Sequence, residues 1–110
     1  LDCGNKDSTV DTNARYLEYL KGQKLVAASA KLTNTVIIEP VYIGENVEIT
    51  NAVVGPHVSI GNSTKVSYSV ISRSIVQESA VIKNANITNS MFGNHAQYKG
   101  KAADLSVGDY

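Results

Sequence analysis

The sequence predicts a mainly β fold, in which short parallel strands coil into a triangular prism of about four turns after one N-terminal α-helix. Aliphatic residues recur every five or six positions from Val26 to Tyr98, which is the spacing of such coils. A chain of 110 residues is long enough for one small domain, and it contains no Trp. The core must therefore consist of thin aliphatic layers.

The first segment, residues 5–22, is predicted to form the helix. Val10, Ala14 and Leu17 follow one another at i, i+4 and i+7 and would form its buried stripe. Asn5 is the expected N-cap, and Gly22 is expected to end the helix in the left-handed conformation. Because an open coil edge would pair with foreign strands, we expect this helix to cover one end of the prism.

The repeat begins at Val26, where the helical period is lost and β-branched residues alternate with Gly, Asn and Ser. Grouping the repeats by threes predicts three stacked columns, one for each side of the triangle, which are aliphatic until the aromatic residues of the last coil. These columns are Val26, Ile43, Ile60, Val76 and Phe92; Leu32, Ile49, Val66, Ile82 and Tyr98; and Ile37, Val54, Ile71 and Ile87. A β-sandwich is disfavoured, because its turn signals would lie about eight to twelve residues apart.

The corners of the triangle are predicted from the residues that tolerate positive φ. Gly follows the aliphatic residue in several repeats, and Asn occupies the same turn segments. The residues concerned are Gly44, Gly55, Gly61 and Gly93, with Asn46, Asn62, Asn84, Asn89 and Asn94.

Composition excludes several classes of partner. Ten basic and ten acidic residues leave no net charge that would draw the chain to nucleic acid or to an anionic membrane, and no apolar run is long enough to span a bilayer. The single cysteine, Cys3, cannot form an internal disulfide and fits a reducing compartment, so a cytoplasmic protein is predicted. The chain begins at Leu1 without a Met, which favours a fragment of something longer.

The repeat resembles the hexapeptide of the left-handed parallel β-helix proteins, and that resemblance implies left-handed coiling. Residues 1–7 (LDCGNKD), with Thr12-Asn13-Ala14-Arg15 in the helix, resemble the segment of sugar-1-phosphate nucleotidyltransferases that usually reads W-x-D-x-G-[TK]-P-E and leads into a helix ending in A-N-R. Residues 37–44 resemble the opening coil of the β-helix tails of those enzymes, and residues 105–109 resemble their ends. The resemblance implies that residues 1–24 are the terminal loop and helix of a missing catalytic domain. Residues 25–110 would be the β-helix with its closing C-terminal tail.

This resemblance implies an assembly or regulatory domain of an enzyme that makes a nucleotide sugar and pyrophosphate from a nucleoside triphosphate and a sugar 1-phosphate. It also implies a homo-oligomer, either a dimer or a trimer, because hexapeptide relatives are often trimers. Asp2 matches the Asp of the D-x-G motif, which binds Mg²⁺ in several relatives, and is therefore a metal candidate in the full-length protein only. The sequence contains no G-x-G-x-x-G and no P-loop, so we expect no catalytic residue, no cofactor and no turnover in this fragment.

Two alternatives stay open. A hexapeptide-repeat acyltransferase would use a His as general base, for which His57 and His95 are the candidates. These two histidines cannot supply the three-His zinc site of the γ-class carbonic anhydrases, and both are expected to be solvated turn residues on different faces. The second alternative is a purely structural oligomerisation module.

Overall fold

The computed structural model describes residues 3–100, in which one helix precedes a coil of short strands. Helix α1 spans Cys3–Tyr19, two residues earlier at its start than predicted, so Asn5 lies inside it and is not its cap. Val10, Ala14 and Leu17 are all buried, which confirms the predicted stripe. The chain then turns at Gly22, whose φ of 100° is the left-handed value expected there.

The coil is made of thirteen strands of two or three residues each within the described part of the chain. They are β1 (Lys31–Thr33), β2 (Val36–Ile37), β3 (Val41–Ile43), β4 (Glu48–Thr50), β5 (Val53–Val54), β6 (Val58–Ile60), β7 (Lys65–Ser67), β8 (Val70–Ser72), β9 (Ser74–Val76), β10 (Val81–Lys83), β11 (Asn86–Thr88), β12 (Met91–Phe92) and β13 (Gln97–Lys99). All pair in parallel in three sheets, with the orders β1-β4-β7-β10-β13, β2-β5-β8-β11 and β3-β6-β9-β12. The fold is therefore a parallel β-solenoid of about four turns, as predicted.

The strand register confirms all three predicted columns residue by residue. Ile43 pairs with Ile60 and Ile60 with Val76, and the isolated bridge from Val26 to Ile43 extends this column into the first coil. The Ile49 and Val54 columns follow the same rule in their own sheets. Because equivalent aliphatic side chains stack at the spacing of one strand, the core is continuous from the first coil to the last.

The coils differ in length by one residue, and the difference turns one side chain outward. Seventeen residues separate Ile43 from Ile60, but sixteen separate Ile60 from Val76. In the shorter coil Ser74 pairs with Val58 and takes the inward place, where it is fully buried and its hydroxyl donates to Ser72 O at 2.8 Å. Ile75 consequently faces outward, opposite Ser59.

The corners use the left-handed conformation, but mostly without glycine. Gly55 has a φ of 115°, as predicted, whereas Gly44, Gly61 and Gly93 do not have positive φ. At Gly61 the requirement is space, because a Cβ there would lie 2.8 Å from the backbone carbon of Gln77 in the next coil. The prediction of positive φ was therefore wrong at three of the four glycines.

Asparagine has two separate uses at these corners. Asn46, Asn84 and Asn89 adopt positive φ, as predicted. Asn62 and Asn94 do not, and their Oδ1 atoms instead accept hydrogen bonds from the backbone N–H groups of Glu45 and Glu78 at 2.8 and 2.9 Å. Those two side chains join one coil to the next.

The helix lies along the flank of the solenoid, not across an end, so the expectation that it covers an end was wrong. It contacts β6 and β9, with Lys6 close to Asn89 in the last coil and Glu18 close to His57 two coils earlier. A helix of 17 residues is about 26 Å long, so its apolar stripe can contact several stacked coils, whereas an end offers only one.

The three outer faces of the solenoid differ in character. The face formed by β3, β6, β9 and β12 is covered by α1, and we call it the helix face. The polar face, formed by β1, β4, β7, β10 and β13, carries an outward row in which Glu48 lies between Lys31 and Lys65. The valine face, formed by β2, β5, β8 and β11, carries Val36, Ile38, Val53 and Val70 on its outer surface.

We expect Val66→Ala to lower the free energy of unfolding by about 2 kcal/mol, because Val66 is 2% exposed and its column cannot close over the missing methyl groups. The matched control is Val81→Ala, which makes the same change on the outward side of the neighbouring strand and should cost less than about 0.5 kcal/mol. Urea denaturation followed by circular dichroism measures both values. Equal losses in the two variants would contradict the assignment of inward and outward positions.

Candidate functional site

Charged and polar side chains gather where α1 meets one row of corners, and we call this contact the seam. On the helix it comprises Lys6, Asp11, Asn13 and Glu18, and on the coils it comprises His57, Ser59, Arg73 and Asn89. Asp11 and Glu18 lie seven residues apart, which places them on one side of the helix. Their partners, His57 and Arg73, occupy equivalent corners of successive coils.

Two carboxylates of the helix hold these corner residues. His57 Nε2 lies 2.8 Å from Glu18 Oε1, and Arg73 Nη2 donates to Asp11 Oδ1 at 3.1 Å. The other oxygen of Asp11 lies 3.0 Å from Arg15 Nε. His57 and Arg73 both have positive φ, at 64° and 42°, so the corner conformation is what directs these side chains toward the helix.

The hydrogen bond from His57 holds the pKa of the Glu18 carboxyl below its usual value of 4.5, with Lys21 nearby acting in the same direction. Lys21 Nζ lies 3.8 Å from Glu18 Oε2. All of these groups remain in contact with solvent, so each bond contributes little by itself, and the seam acts as a set of weak contacts along the helix.

A shallow groove lies beside the seam, between the helix and the outward side chain of Ile75. It has a volume of about 410 Å³ and is lined by Ser8, Thr9, Thr12, Asn13, Tyr16 and Ile75. Asn13 Oδ1 accepts a hydrogen bond from Ser59 Oγ at 2.8 Å, while its buried Nδ2 has no hydrogen-bond partner within the described residues. The lining contains hydroxyl and amide groups but no carboxylate and no imidazole, so the groove offers contacts and no acid–base pair.

Two curated proteins align with this chain, and both are glucose-1-phosphate thymidylyltransferases. The one from Streptomyces antibioticus is 29% identical in an alignment that covers 87% of this chain and 31% of the relative. The one from Streptomyces griseus is 34% identical over 71% of this chain and 22% of the relative. This chain is homologous to a part of those enzymes. It spans between about a fifth and a third of their length.

The other two comparisons gave no match. No protein-family model matches the chain, and no solved structure matches it significantly. The relation to the thymidylyltransferases therefore rests on the two alignments, together with a solenoid that follows a single helix, which is the order predicted from the resemblance.

The two histidines that were candidates for acid–base chemistry lie apart. His57 is at the corner between β5 and β6, and His95 is at a different corner, between β12 and β13. Both have positive φ, and His95 is exposed, which confirms that both are turn residues. His57 is committed to Glu18 in the seam and does not line the groove.

The predicted metal residue, Asp2, lies outside the described residues, as does the predicted closing tail at residues 105–109. Within residues 3–100, no three His, Cys, Asp or Glu side chains come together as a metal site would require. Nor does this part of the chain include a helix of the length and hydropathy needed to cross a membrane.

Sequence reasoning missed the seam, although it contains a recognisable signal. Most corner positions carry Asn or Ser, whereas two of the corners beside the helix carry His57 and Arg73. The helix offers carboxylates at a spacing of seven, Asp11 and Glu18. Opposite charges on the helix and on one row of corners would have indicated which corners the helix contacts.

We expect Glu18→Gln to remove part of the acid sensitivity of the fold. Because the folded-state pKa of Glu18 is depressed below 4.5, its contribution is fully present above about pH 4.5 and is lost as the pH falls through the depressed value. At neutral pH the variant should melt no more than a few degrees below the parent, since the pair is exposed. Once the pH is below that depressed pKa, the two melting temperatures should converge.

Melting curves between pH 3 and pH 7, followed at the helical circular dichroism band, measure this effect. Glu78→Gln is the matched control, because Glu78 is an exposed corner carboxylate away from the helix. The difference in melting temperature between Glu78→Gln and the parent should be the same at every pH. If the difference in melting temperature between Glu18→Gln and the parent is also the same at every pH, the role assigned to Glu18 is contradicted.

Proposed function

We propose that this chain is the C-terminal β-helix domain of a sugar-1-phosphate nucleotidyltransferase, together with the last helix of the catalytic domain. The single observation that carries the proposal is the alignment with two glucose-1-phosphate thymidylyltransferases over between about a fifth and a third of their length. The solenoid supports it, since the sequence resemblance predicts that such enzymes end in a β-helix that directly follows one helix, and this chain has that order.

The longer protein would join a nucleoside triphosphate to a sugar 1-phosphate and release pyrophosphate. The sugar phosphate would attack the α-phosphorus in line, with Mg²⁺ and basic residues of the catalytic domain stabilising the charge that develops. Asp2 is the residue of this chain that we propose as a Mg²⁺ ligand there. A cytoplasmic location belongs to the same proposal, because nucleoside triphosphates and a reduced Cys3 both suit that compartment.

The described residues suit a structural contribution to such an enzyme better than a catalytic one. The seam orients the helix against the solenoid through four contacts along its length. We propose that this domain sets the assembly of the enzyme as a dimer or trimer, and that it transmits any regulation through α1.

The acyltransferase alternative finds less support in the structure. From Val26 to Phe92 each coil takes 16 or 17 residues, which leaves no room for the long loop that such enzymes insert between coils. His57 and His95 are at separate corners, and His57 is already paired with Glu18. A purely structural oligomerisation module stays as the second candidate, favoured by the lack of an acid–base pair among the described residues that line the groove beside the seam.

The longer gene product that contains this chain should release pyrophosphate when given a nucleoside triphosphate, a sugar 1-phosphate and Mg²⁺, whereas the 110-residue chain alone should release none. A coupled pyrophosphate assay across the common triphosphates and hexose 1-phosphates measures this. Turnover by the 110-residue chain alone, or a longer product that is inactive with every pair, would contradict the proposal.

The control separates this proposal from an acyltransferase. His57→Asn keeps a residue that tolerates the left-handed corner, so it should leave pyrophosphate release unchanged. Titration of the 110-residue chain with acetyl-CoA in a calorimeter should show no saturable heat. Saturable binding that His57→Asn abolishes would favour the acyltransferase instead.

A further inference from the structure

The outer side of α1 carries uncharged side chains, and we call it the outer stripe. Its members are all exposed, and they are Ser8, Thr9, Thr12, Tyr16 and Tyr19. At about 100° per residue, the centre of the outer stripe lies nearly opposite the buried stripe that packs on the solenoid. The side of a surface helix that faces solvent usually carries charges. An uncharged outer side therefore indicates that this helix has a second packing surface.

Most charged residues of the helix lie on one flank. They follow one another at intervals of four, four and three residues, which places them between the buried stripe and the outer stripe, and they are Asp7, Asp11, Arg15 and Glu18. Asp11 and Glu18 are already paired with corner residues in the seam, and Asp11 also holds Arg15. These charges thus serve the contact with the solenoid and leave the neighbouring outer stripe without any.

Two tyrosines on the outer stripe keep most of their surface in solvent. Tyr16 is 61% exposed and Tyr19 is 83% exposed. They are three residues apart, so they are neighbours on the helix surface. Tyrosine is enriched in protein interfaces, whereas Lys, Glu and Asp are depleted there. The composition of the outer stripe is therefore typical of an interface.

The groove beside the seam extends this surface onto the solenoid. Its lining includes Thr12 and Tyr16 of the helix, together with Ile75, which the shorter coil turns outward. None of the residues that line it is charged. A partner that packs on the outer stripe would therefore be able to place an apolar side chain in the groove against Ile75.

In the proposed function, the partner that fits this surface is the rest of the longer protein. More than two thirds of each thymidylyltransferase relative has no counterpart in this chain, since the alignments cover 31% and 22% of their lengths. The proposed function makes α1 the last helix of the catalytic domain, and a helix of a domain packs against the core of that domain. The buried stripe and the charged flank are already committed to the solenoid. The outer stripe is the side that is left for the catalytic domain.

We propose that the outer stripe of α1 and the adjoining groove bind the catalytic domain that precedes this chain in the longer protein. The matching surface of that domain should be apolar and uncharged, with acceptors for the hydroxyl groups of Ser8, Thr12 and Tyr16. Helix α1 would then be packed on both sides, so that it fixes the orientation of the catalytic domain relative to the solenoid. The inference rests on the proposed function and names the surface through which the two domains meet.

Nitration by tetranitromethane, mapped by mass spectrometry, tests this in the longer gene product and in the 110-residue chain. Tyr16 and Tyr19 should react about tenfold more slowly in the longer product, because a packed interface excludes the reagent. Tyr68 is the internal control. It is 62% exposed, almost the same as Tyr16, and it lies at the corner between β7 and β8, away from the face that α1 covers. Its rate should be the same in both proteins.

Thr12→Arg keeps the test independent of folding. Thr12 is exposed and Arg is the better helix former, so the 110-residue chain with this change should melt no lower than the parent. The guanidinium group would lie unpaired in the middle of the proposed contact, so Tyr16 of the longer product should become as reactive as in the 110-residue chain. Thr33→Arg, the same change at an exposed position of the polar face, is the matched control and should leave Tyr16 protected.

Equal nitration rates of Tyr16 in the two proteins overturn the proposal. Protection that disappears on dilution also overturns it, because it would assign the surface to a second copy, and so does protection that Thr12→Arg leaves intact. These outcomes are separate from failure of the proposed function, which pyrophosphate release by the longer gene product reports. An active product in which Tyr16 is unprotected would overturn this inference and leave the proposed function standing.

Discussion

Every other feature of this molecule depends on one requirement, that each coil places an aliphatic side chain directly over the equivalent one in the coil before it. Ile60 lies between Ile43 and Val76, and both neighbours are as completely buried as Ile60 itself. Strands of two or three residues have almost no stability of their own, so this stacking must supply most of the cohesion. A slip of one residue would turn a whole column to solvent, which fixes the register strongly.

The corners follow from the same requirement. To return to the column after five or six residues, the chain must turn sharply, and one residue at most corners adopts positive φ. The backbone N–H of such a residue then donates to the preceding coil, as from His57 to Pro40 O at 2.7 Å and from Ser63 to Glu45 O at 2.8 Å. Where the backbones of two coils approach closely, as at Gly61, a Cβ is excluded instead. Two of the corners that face α1 carry His57 and Arg73, whose side chains reach carboxylates of the helix and help to fix where the helix docks on an otherwise regular repeat.

The sequence alone predicted the columns but did not predict where the helix packs, and the reason is physical. The columns repeat every 16 or 17 residues, so the residue at each position can be compared in the sequence with its equivalents in the other coils. A wrong assignment would place a charged residue in a column of aliphatic ones and would be recognised. The position of α1 depends on contacts between Glu18 and His57 and between Asp11 and Arg73, each of which occurs once. Burial of Val10, Ala14 and Leu17 was predictable from their spacing, but the surface that buries them was not. The roles of Gly and Asn were confused because both positive φ and close approach favour small or flexible corner residues.

The functional account follows from how these surfaces are used. One face holds the helix, one carries a row of charged side chains, and one is left apolar. No part of that account survives if the coils are out of register, which makes the register the point to test first. In a uniformly labelled sample, nuclear Overhauser contacts between side-chain methyl groups should connect Ile60 to Ile43 on one side and to Val76 on the other. Methyl contacts from Ile60 to the side chains of Tyr42 or Ile75, which the structure turns outward, in place of those contacts would contradict the stacking, and with it the face on which the seam depends.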